Sequence, residues 1–456
     1  MRYKKITLHT LRLSVLTMWI HSGAGVSETE VFNGGTYELT AQSYAEGIEA
    51  RNQAQVNNKP GQALSLSSGG TEKTAVKASG EGTSVMLQGT ENQKITVNTE
   101  ADGDAYGLWA IENATLTLKH MDITLKGAND TAVAVQTEGK VDIGSSTLSG
   151  TENQFYGLWA TGKNTEVTGH QLKITSQGAD SRAVSSYSAQ LTLKDSTVSI
   201  NGKNAWGIVT YESGRVAGHH LDIKAGGQGA KDISANNNST VDIQNSTLSS
   251  IGDNARGIIA FNSARVTGHH LAIMAEGQGA SAIYPTHNST IHLHDSHIQT
   301  LATLSAIFAS DEDATDTTVS ITGGSLHAAG DLILSAGGKT NLVFSRVVIS
   351  PPGSGHAIHF TGTGGEVDLT LNQTALSGNI VAEGENKARV TLDSGSTWSF
   401  KENATVTALT HAGKVVFDPL MTARRLLASR QTITRAMPGK SCFTPAWKAT
   451  IRRRIN

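Results

Sequence analysis

One repeat constrains the fold of this sequence more than any other feature. Four near-copies of a short motif with a central glycine stand 50 residues apart: Ala105-Tyr106-Gly107-Leu108-Trp109, Phe155-Tyr156-Gly157-Leu158-Trp159, Ala205-Trp206-Gly207-Ile208 and Ala255-Arg256-Gly257-Ile258. Weaker copies lie halfway between them, at Ala132-Val133, Ala183-Val184, Asp232-Ile233 and Ala282-Ile283. The repeating unit is therefore about 25 residues, and an alternation between neighbouring units doubles it. A fixed period in this range predicts stacked repeats.

Alignment of the units produces three aliphatic columns. The first contains no charged residue and consists of Leu108, Val133, Leu158, Val184, Ile208, Ile233, Ile258, Ile283, Ile307, Ile333 and Ile358. The second consists of Leu116, Val141, Val167, Leu191, Val216, Val241, Val266 and Ile291. The third consists of Ile123, Leu148, Leu172, Val198, Leu221, Leu248, Leu271 and Ile298. Apolar and polar residues alternate around each column, which is typical of a strand with one buried face.

Three short strands in each unit predict an all-β chain that winds once per repeat. Like strands of successive units would then pair in parallel, ~4.8 Å apart, and enclose a continuous aliphatic interior. A solenoid of helices is the competing interpretation, but no segment shows apolar residues at helical spacing, and the sequence contains 48 glycines. We therefore predict a right-handed parallel β-helix with rungs of about 25 residues, a rung being one turn of the coil.

The sequence divides into four predicted segments. Residues 1–27 have a basic start, an apolar middle and small residues at the end, as in a secretory signal peptide. Residues 28–75 are expected to form an N-terminal cap and the first coils, and residues 76–419 the β-helix itself. The spacing from Val76 to Leu108 is longer than one unit, which predicts a longer loop or an extra partial turn there.

Residues 420–456 form a basic tail without repeats. This tail holds nine Lys or Arg and no Asp or Glu, so residues 1–419 carry −11 when the whole chain carries −2. The single cysteine, Cys442, also lies in the tail and excludes an internal disulfide. One interpretation is a basic arm for nucleic acid or a membrane surface. The interpretation that we favour is a shifted reading frame, because every compositional index changes at once after Pro419.

Several segments resemble the passenger region of pertactin-like autotransporters of Gram-negative bacteria. They are the Tyr-Gly-Leu-Trp-Ala segments that begin at Tyr106 and Tyr156, Asn238 to Ile243, Leu376 to Gly384, Val390 to Trp398 and Gly413 to Asp418. The resemblance covers roughly residues 35–418 and implies a β-helix exported by type V secretion. That family continues into a C-terminal outer-membrane barrel, whose alternating strands this sequence does not show. We therefore expect a passenger without its translocator, and, if the frame has shifted, a truncated product.

The histidines and one serine are the first candidates for chemistry. His219-His220 and His269-His270 repeat at 50 residues, with His170 in the matching place, and His292, His294 and His297 cluster nearby. Residues 50 apart would lie two rungs or ~10 Å apart, too far to share one zinc ion. We interpret these histidines as exposed turn residues. Ser354, between Gly353 and Gly355, follows two prolines and is interpreted as a turn residue instead of a protease nucleophile.

Acidic and aromatic residues are the remaining candidates. Asp311, Glu312, Asp313 and Asp316 form the densest acidic cluster, and we interpret them as a solvated loop, the alternative being a glycan or calcium site. The aromatic residues expected outside the core could either stack on glycans or pack under loops, and the sequence leaves this choice open: Trp109, Tyr156, Trp159, Tyr187 and Tyr211.

These observations favour a non-enzymatic adhesin or self-association protein. We assign no catalytic residue, cofactor or metal ligand. The expected partner is a host cell-surface protein or glycan, or a second cell's copy of the chain, with no nucleic acid and no membrane-spanning segment. The chain is expected to be exported, to the cell surface if attached to a barrel and otherwise to the periplasm or medium. The alternative is a β-helical enzyme that degrades polysaccharide.

Overall fold

The computed structural model describes residues 28–69, 73–99, 103–418 and 449–451. Within these residues the secondary structure consists of short strands and contains no helix. The chain visits three long sheets in turn, which we call the first, second and third sheets. The predicted signal peptide and nearly all of the predicted tail lie outside the described residues. No helix in the described part is long and apolar enough to cross a membrane.

The first sheet has 15 strands: Glu30–Asn33, Ile48–Arg51, Thr74–Ser79, Tyr106–Ile111, Thr131–Gln136, Tyr156–Thr161, Arg182–Tyr187, Trp206–Tyr211, Lys231–Asn236, Arg256–Phe261, Ser281–Pro285, Ala306–Ser310, Asp331–Ser335, His356–Phe360 and Asn379–Ile380. The second sheet has 16: Thr36–Leu39, Gln55–Asn58, Ser84–Gln88, Thr115–Lys119, Lys140–Gly144, Glu166–His170, Gln190–Lys194, Arg215–His219, Thr240–Gln244, Arg265–His269, Thr290–His294, Thr317–Thr322, Lys339–Ser345, Glu366–Asn372, Lys387–Leu392 and Ala408–His411.

The third sheet has 13 strands: Ser43–Tyr44, Ser65–Ser67, Ile95–Asn98, Met121–Leu125, Thr147–Gly150, Lys173–Ser176, Thr197–Ile200, Asp222–Ala225, Thr247–Ser250, Ala272–Ala275, His297–Thr300, Ser325–Ala328 and Val348–Ile349. Two smaller sheets follow. One has three parallel strands, Ala375–Ser377, Thr397–Phe400 and Lys414–Phe417. The other pairs Ala404–Val406 with Ala449–Ile451 in antiparallel.

All pairing within the three long sheets is parallel and joins residues one rung apart, as between Leu108 and Val133 or Leu116 and Val141. The chain is therefore a right-handed parallel β-helix with rungs of about 25 residues, as predicted. The long spacing before Leu108 is also explained. Val76 pairs directly with Leu108, and the additional residues extend the connections on either side of the strand Ile95–Asn98.

The interior consists of the three aliphatic columns. The second column is confirmed at all of its residues. The first column is wrong at Ile307, because Phe308 pairs with Ile283 and Ile333 while Ile307 occupies the neighbouring buried position. The third column is wrong at Leu172, Leu221 and Leu271, whose places in the register belong to Ile174, Ile223 and Ile273.

A complementary exchange of side chains explains the error. In three alternate rungs a glycine ends the inward row of the second sheet, at Gly169, Gly218 and Gly268, and the leucine three residues later fills the space beside it. Leu172 Cδ1, for example, lies 2.8 Å from the place that a Cβ on Gly169 would occupy. The rungs between carry a larger residue and a serine, as at Leu193 and Ser196. The Ser196 hydroxyl accepts a hydrogen bond from the Leu172 N–H at 3.0 Å and donates one to the Lys194 carbonyl at 2.7 Å.

Candidate binding face

The outward face of the first sheet carries large side chains in register. In the strand Tyr106–Ile111, Leu108 and Ala110 are buried in the interior, whereas Tyr106 and Trp109 are half-buried on the outside. Successive strands place their residues directly beside these two, which creates two outward columns. A neighbouring column begins at Ile111. Because the strands are parallel and in register, side chains 25 residues apart in sequence become neighbours on this face.

These columns form a surface that we call the aromatic–cation stripe, interrupted only at the strand Thr131–Gln136, which adds no aromatic or cationic side chain. Its residues are Lys77, Tyr106, Trp109, Tyr156, Trp159, Arg182, Tyr187, Trp206, Tyr211, Lys231, Arg256, Phe261 and Tyr284. The stripe crosses nine successive strands, from Thr74–Ser79 to Ser281–Pro285. Eight intervals of ~4.8 Å make it about 40 Å long. A surface of this length and flatness suits an extended ligand better than a small molecule.

Arg182 stands at the centre of the stripe, surrounded by aromatic rings. Its guanidinium carbon lies 5.3 Å from the centre of the Tyr156 ring and 5.2 Å from that of the Trp206 ring. Tyr211, at 5.9 Å, closes a third side and stacks on Tyr187 with 4.6 Å between ring centres. The buried Arg182 Nε has no hydrogen-bond partner. Rings and cation therefore hold each other in place by cation–π attraction.

Three more cations lie over aromatic rings of the stripe. Lys77 Nζ is 5.4 Å from the Trp109 ring centre, Lys231 Nζ is 4.6 Å from that of Trp206, and the Arg256 guanidinium is 3.4 Å from that of Tyr284. Lys77 also lies 3.6 Å from Glu49. Positive charge thus lies at Lys77 near one end of the stripe and at Arg182, Lys231 and Arg256 between ring faces of its second half.

Burial changes the acid–base properties of the stripe. Burial, and secondarily the charge of Arg256, lowers the pKa of Lys231. Burial also raises the pKa of the Tyr211 hydroxyl, although the charge of Arg182 opposes the shift. The pKa of Tyr284 is raised by burial and by its hydrogen bond to the Asp311 carboxylate. Tyr211 and Tyr284 therefore keep their protons at neutral pH, and the Tyr284 hydroxyl donates its hydrogen bond to Asp311.

The structure brings together every aromatic residue that the sequence left undecided. The five lie on the open face of one sheet, half-buried by one another: Trp109, Tyr156, Trp159, Tyr187 and Tyr211. The cations between them are candidate binding residues that the sequence did not single out. The signal was available, since Tyr156, Arg182, Trp206, Lys231 and Arg256 occupy one column of the repeat.

The histidines singled out by their spacing lie elsewhere, on the second sheet and its following turn. His220 and His270 have φ of 53°, a left-handed turn conformation. Gln244 separates His219 from His269 in their column. His269 stacks instead on His294, with 4.7 Å between ring centres. His292 contacts the Ser320 hydroxyl and His297 that of Ser325, so the cluster is divided among separate partners.

The acidic loop at 311–316 is also divided among separate partners. Asp311 accepts the hydrogen bond of the Tyr284 hydroxyl, and Asp316 forms an ion pair with Lys339 at 2.9 Å. Asp313 lies 4.0 Å from His287. The carboxylates therefore point to different neighbours and do not converge on a common centre.

Two further groups matter for enzymatic chemistry. Ser354 lies in a turn, and its hydroxyl donates to Asp331 Oδ1 at 2.6 Å, not to a histidine, so it lacks the general base of a serine protease. On the second sheet, Arg389 bonds to both Glu366 and Asp368. The hydrogen bond from Arg389 lowers the pKa of Glu366, which makes this carboxyl a poor general acid.

Comparison with protein-family models and with curated proteins finds no match to this sequence.

Proposed function

We propose that this chain is a pertactin-like autotransporter passenger that acts without catalysis, as an exported adhesin whose aromatic–cation stripe binds an acidic glycan. The single observation that carries the glycan proposal is the alternation of cations and ring faces between Tyr156 and Tyr284, over about 25 Å of one sheet. The β-helix and the sequence segments that resemble passenger coils support the family assignment. The regular length of the rungs favours a long shallow interface and not an enclosed active site.

Both kinds of side chain in the stripe, aromatic and cationic, have a chemical counterpart in an acidic polysaccharide. Ring faces of Trp and Tyr offer apolar area for the C–H faces of sugars, and half-buried rings lose little conformational freedom on binding. Lys and Arg attract carboxylate or sulfate groups, and Arg can bind them with two parallel hydrogen bonds. Four cations belong to the stripe; Glu49 and Asp311 contact it, and the charges of Asp104 and Asp180 act on Tyr106 and Lys231. Within the described residues no ion pair neutralises Arg182, Lys231 or Arg256, and these three charges favour an anionic ligand.

The alternative function is polysaccharide cleavage on the second sheet. Glu366, Asp368 and Arg389 are the observation in its favour, since two carboxylates and an arginine are the groups that such enzymes use. Their mutual ion pairs argue for a structural role. Both carboxylates are engaged by one guanidinium, and the ionised form of Glu366 is stabilised.

Removing three of the stripe's four cations is expected to weaken binding to acidic polysaccharide by about tenfold or more, which corresponds to about 1.4 kcal/mol. The variant is Arg182→Gln/Lys231→Gln/Arg256→Gln, and the probes are heparin and polygalacturonate, with neutral dextran for comparison. Wild-type affinity should fall as salt rises, because exposed charges are screened, and the variant should show a smaller salt dependence. Titration calorimetry at two salt concentrations measures both effects.

The matched control removes the same number of charges from the second sheet, as Lys194→Gln/Arg215→Gln/Arg265→Gln. These three side chains are exposed and lie away from the stripe. Control and wild type should agree within about twofold if the charges act locally. Equal losses in both variants, or no binding of either acidic polymer by the wild type, would contradict the proposal. Depolymerisation of the probe would favour the enzyme, and self-association without glycan binding would favour cell–cell adhesion.

A further inference from the structure

Beyond the end of the stripe, three metal-ligating side chains converge on the same outward face. Asp331 begins the strand Asp331–Ser335, and His356 and His359 belong to the next strand of the first sheet. Asp331 Oδ1 lies 3.2 Å from His356 Nδ1, and Oδ2 lies 2.8 Å from His359 Nδ1. One ligand atom of each residue lies within 4.8 Å of the other two. Sequence spacing did not single out this group.

The shape of the first-sheet strand explains why the two histidines meet. Residues three apart would face opposite sides of a regular strand, yet Tyr106 and Trp109 both stand outside and stack with 4.9 Å between ring centres. His356 and His359 occupy the equivalent places, and their ring centres are 4.8 Å apart. The register places Asp331 directly beside His356. The same geometry that builds the aromatic pairs therefore builds a His–His–Asp cluster here.

The surroundings orient the three groups and leave one side open. The Asp331 side chain is 15% exposed, and those of His356 and His359 are 40% and 41% exposed. Ser354 donates a hydrogen bond to Asp331 Oδ1 at 2.6 Å and accepts one from the His356 N–H at 3.1 Å. A hydroxyl that holds a ligating carboxylate is the kind of support that surrounds protein metal sites. The exposed edge leaves room for a water molecule as an additional ligand.

We propose that Asp331, His356 and His359 form a binding site for a divalent transition-metal cation, with zinc as the best match. Two imidazole nitrogens and one carboxylate oxygen form a ligand set that zinc favours, with a water in the fourth position. Zinc–ligand bonds of ~2.1 Å in a tetrahedron separate the ligand atoms by about 3.3 Å. Each Asp331 oxygen now contacts a different histidine, at 3.2 and 2.8 Å, and a set with one ligand atom from each residue lies within 4.8 Å, so side-chain rotations would bring the three atoms to the zinc spacing. This site is independent of glycan binding by the stripe.

The test is a titration of the full chain with zinc chloride after a chelator has removed bound metal. Calorimetry measures the binding, and the thermal unfolding midpoint measures the stabilisation by zinc. A cobalt titration followed by visible absorption reports on the ligand geometry directly. We expect one high-affinity zinc site in the wild type. The zinc affinity of this site should fall by more than tenfold in His356→Ala/His359→Ala and in Asp331→Asn. Ser354→Ala is expected to weaken binding by about tenfold, since it removes support without removing a ligand.

The control variant is His269→Ala/His294→Ala, which removes a half-buried stacked histidine pair that has no carboxylate between its rings. It should retain the high-affinity site. Because the cluster is part exposed, the metal-free variants should fold, and an unchanged far-UV circular dichroism spectrum checks this. His356→Gln/His359→Gln, which keeps polar side chains, is a second version of the test. Unchanged high-affinity binding in either cluster variant, or its loss in the control alone, would overturn the proposal.

Discussion

The substitution Gly202→Ala is expected to lower the free energy of unfolding by about 3 kcal/mol or more. Gly202 belongs to a ladder in the turn from the third to the first sheet: Gly178, Gly202, Gly227, Gly252 and Gly277. A Cβ on Gly202 would stand 1.8 Å from the Gly178 carbonyl oxygen of the rung before. That oxygen is backbone, so relief requires the two rungs to separate. In a solenoid each rung is stabilised by its neighbours, and the damage should spread.

Gly395→Ala is the matched control for this prediction. The nearest atom to its added Cβ is Cγ of Gln373, 3.1 Å away, on an exposed side chain that can move. Its effect should stay below about 1 kcal/mol. Urea unfolding followed by fluorescence measures both variants, since Trp398 is 1% exposed and reports on the interior. Similar midpoints for the two variants would show that the rungs can separate at little cost.

Two buried aspartates are expected to respond to alanine in opposite directions. Asp130 accepts hydrogen bonds from the N–H groups of Ala105 and Gly127, both at 2.9 Å, and from the Thr99 hydroxyl. Asp130→Ala leaves two buried N–H groups without partners and should cost about 3 kcal/mol. In Asp232, by contrast, Oδ1 has no hydrogen-bond partner, and Oδ2 accepts one from Ser250 at 2.5 Å. Asp232→Ala should therefore stabilise the fold at neutral pH.

The pH dependence of the free energy of unfolding distinguishes the effect of the Asp232 charge from a change in packing. Burial raises the pKa of Asp232 well above its ordinary value, so the folded chain holds a proton that the unfolded chain releases above pH ~3.9. Wild-type stability therefore falls as pH rises from about 4 towards the folded-state pKa. The pH-dependent part of the difference between Asp232→Ala and wild type should grow over this range and be absent below it, which urea unfolding at several pH values measures. A constant difference at every pH would contradict the assigned protonation.

The architecture was predictable because burial repeats along the chain with a fixed period. Every rung must offer aliphatic residues to the same interior, so one period appears in all three columns. The register of the third sheet was harder to predict from the sequence. Leu172 and Ile174 are both buried, and sequence alone does not tell which one belongs to the strand and which fills the space beside Gly169. The glycine ladder, by contrast, repeats at the spacing of the rungs and could have been identified as a fourth column.

The candidate site was predictable only in part, because outward positions carry no common chemistry. The aromatic residues stood out by type, but Arg182 and Lys231 became meaningful only when the register placed them between rings. The metal cluster could not be predicted from the register alone. His356 and His359 are three apart in a strand, and only the local shape of the first-sheet strand turns both to Asp331. Conversely, His219 and His269 stood out in the sequence but do not meet at a common site, because Gln244 lies between them.

Hydroxyl-radical footprinting with bound acidic polysaccharide tests the central claim most directly, namely that the aromatic–cation stripe is the binding face. The chain is oxidised with and without heparin, and modification is measured residue by residue by mass spectrometry. Trp109, Trp159 and Trp206 should become protected, while Met86, 44% exposed on the second sheet, and Met274 on the third should not change. Protection centred on Met86 or Met274, with the stripe unchanged, would contradict the account.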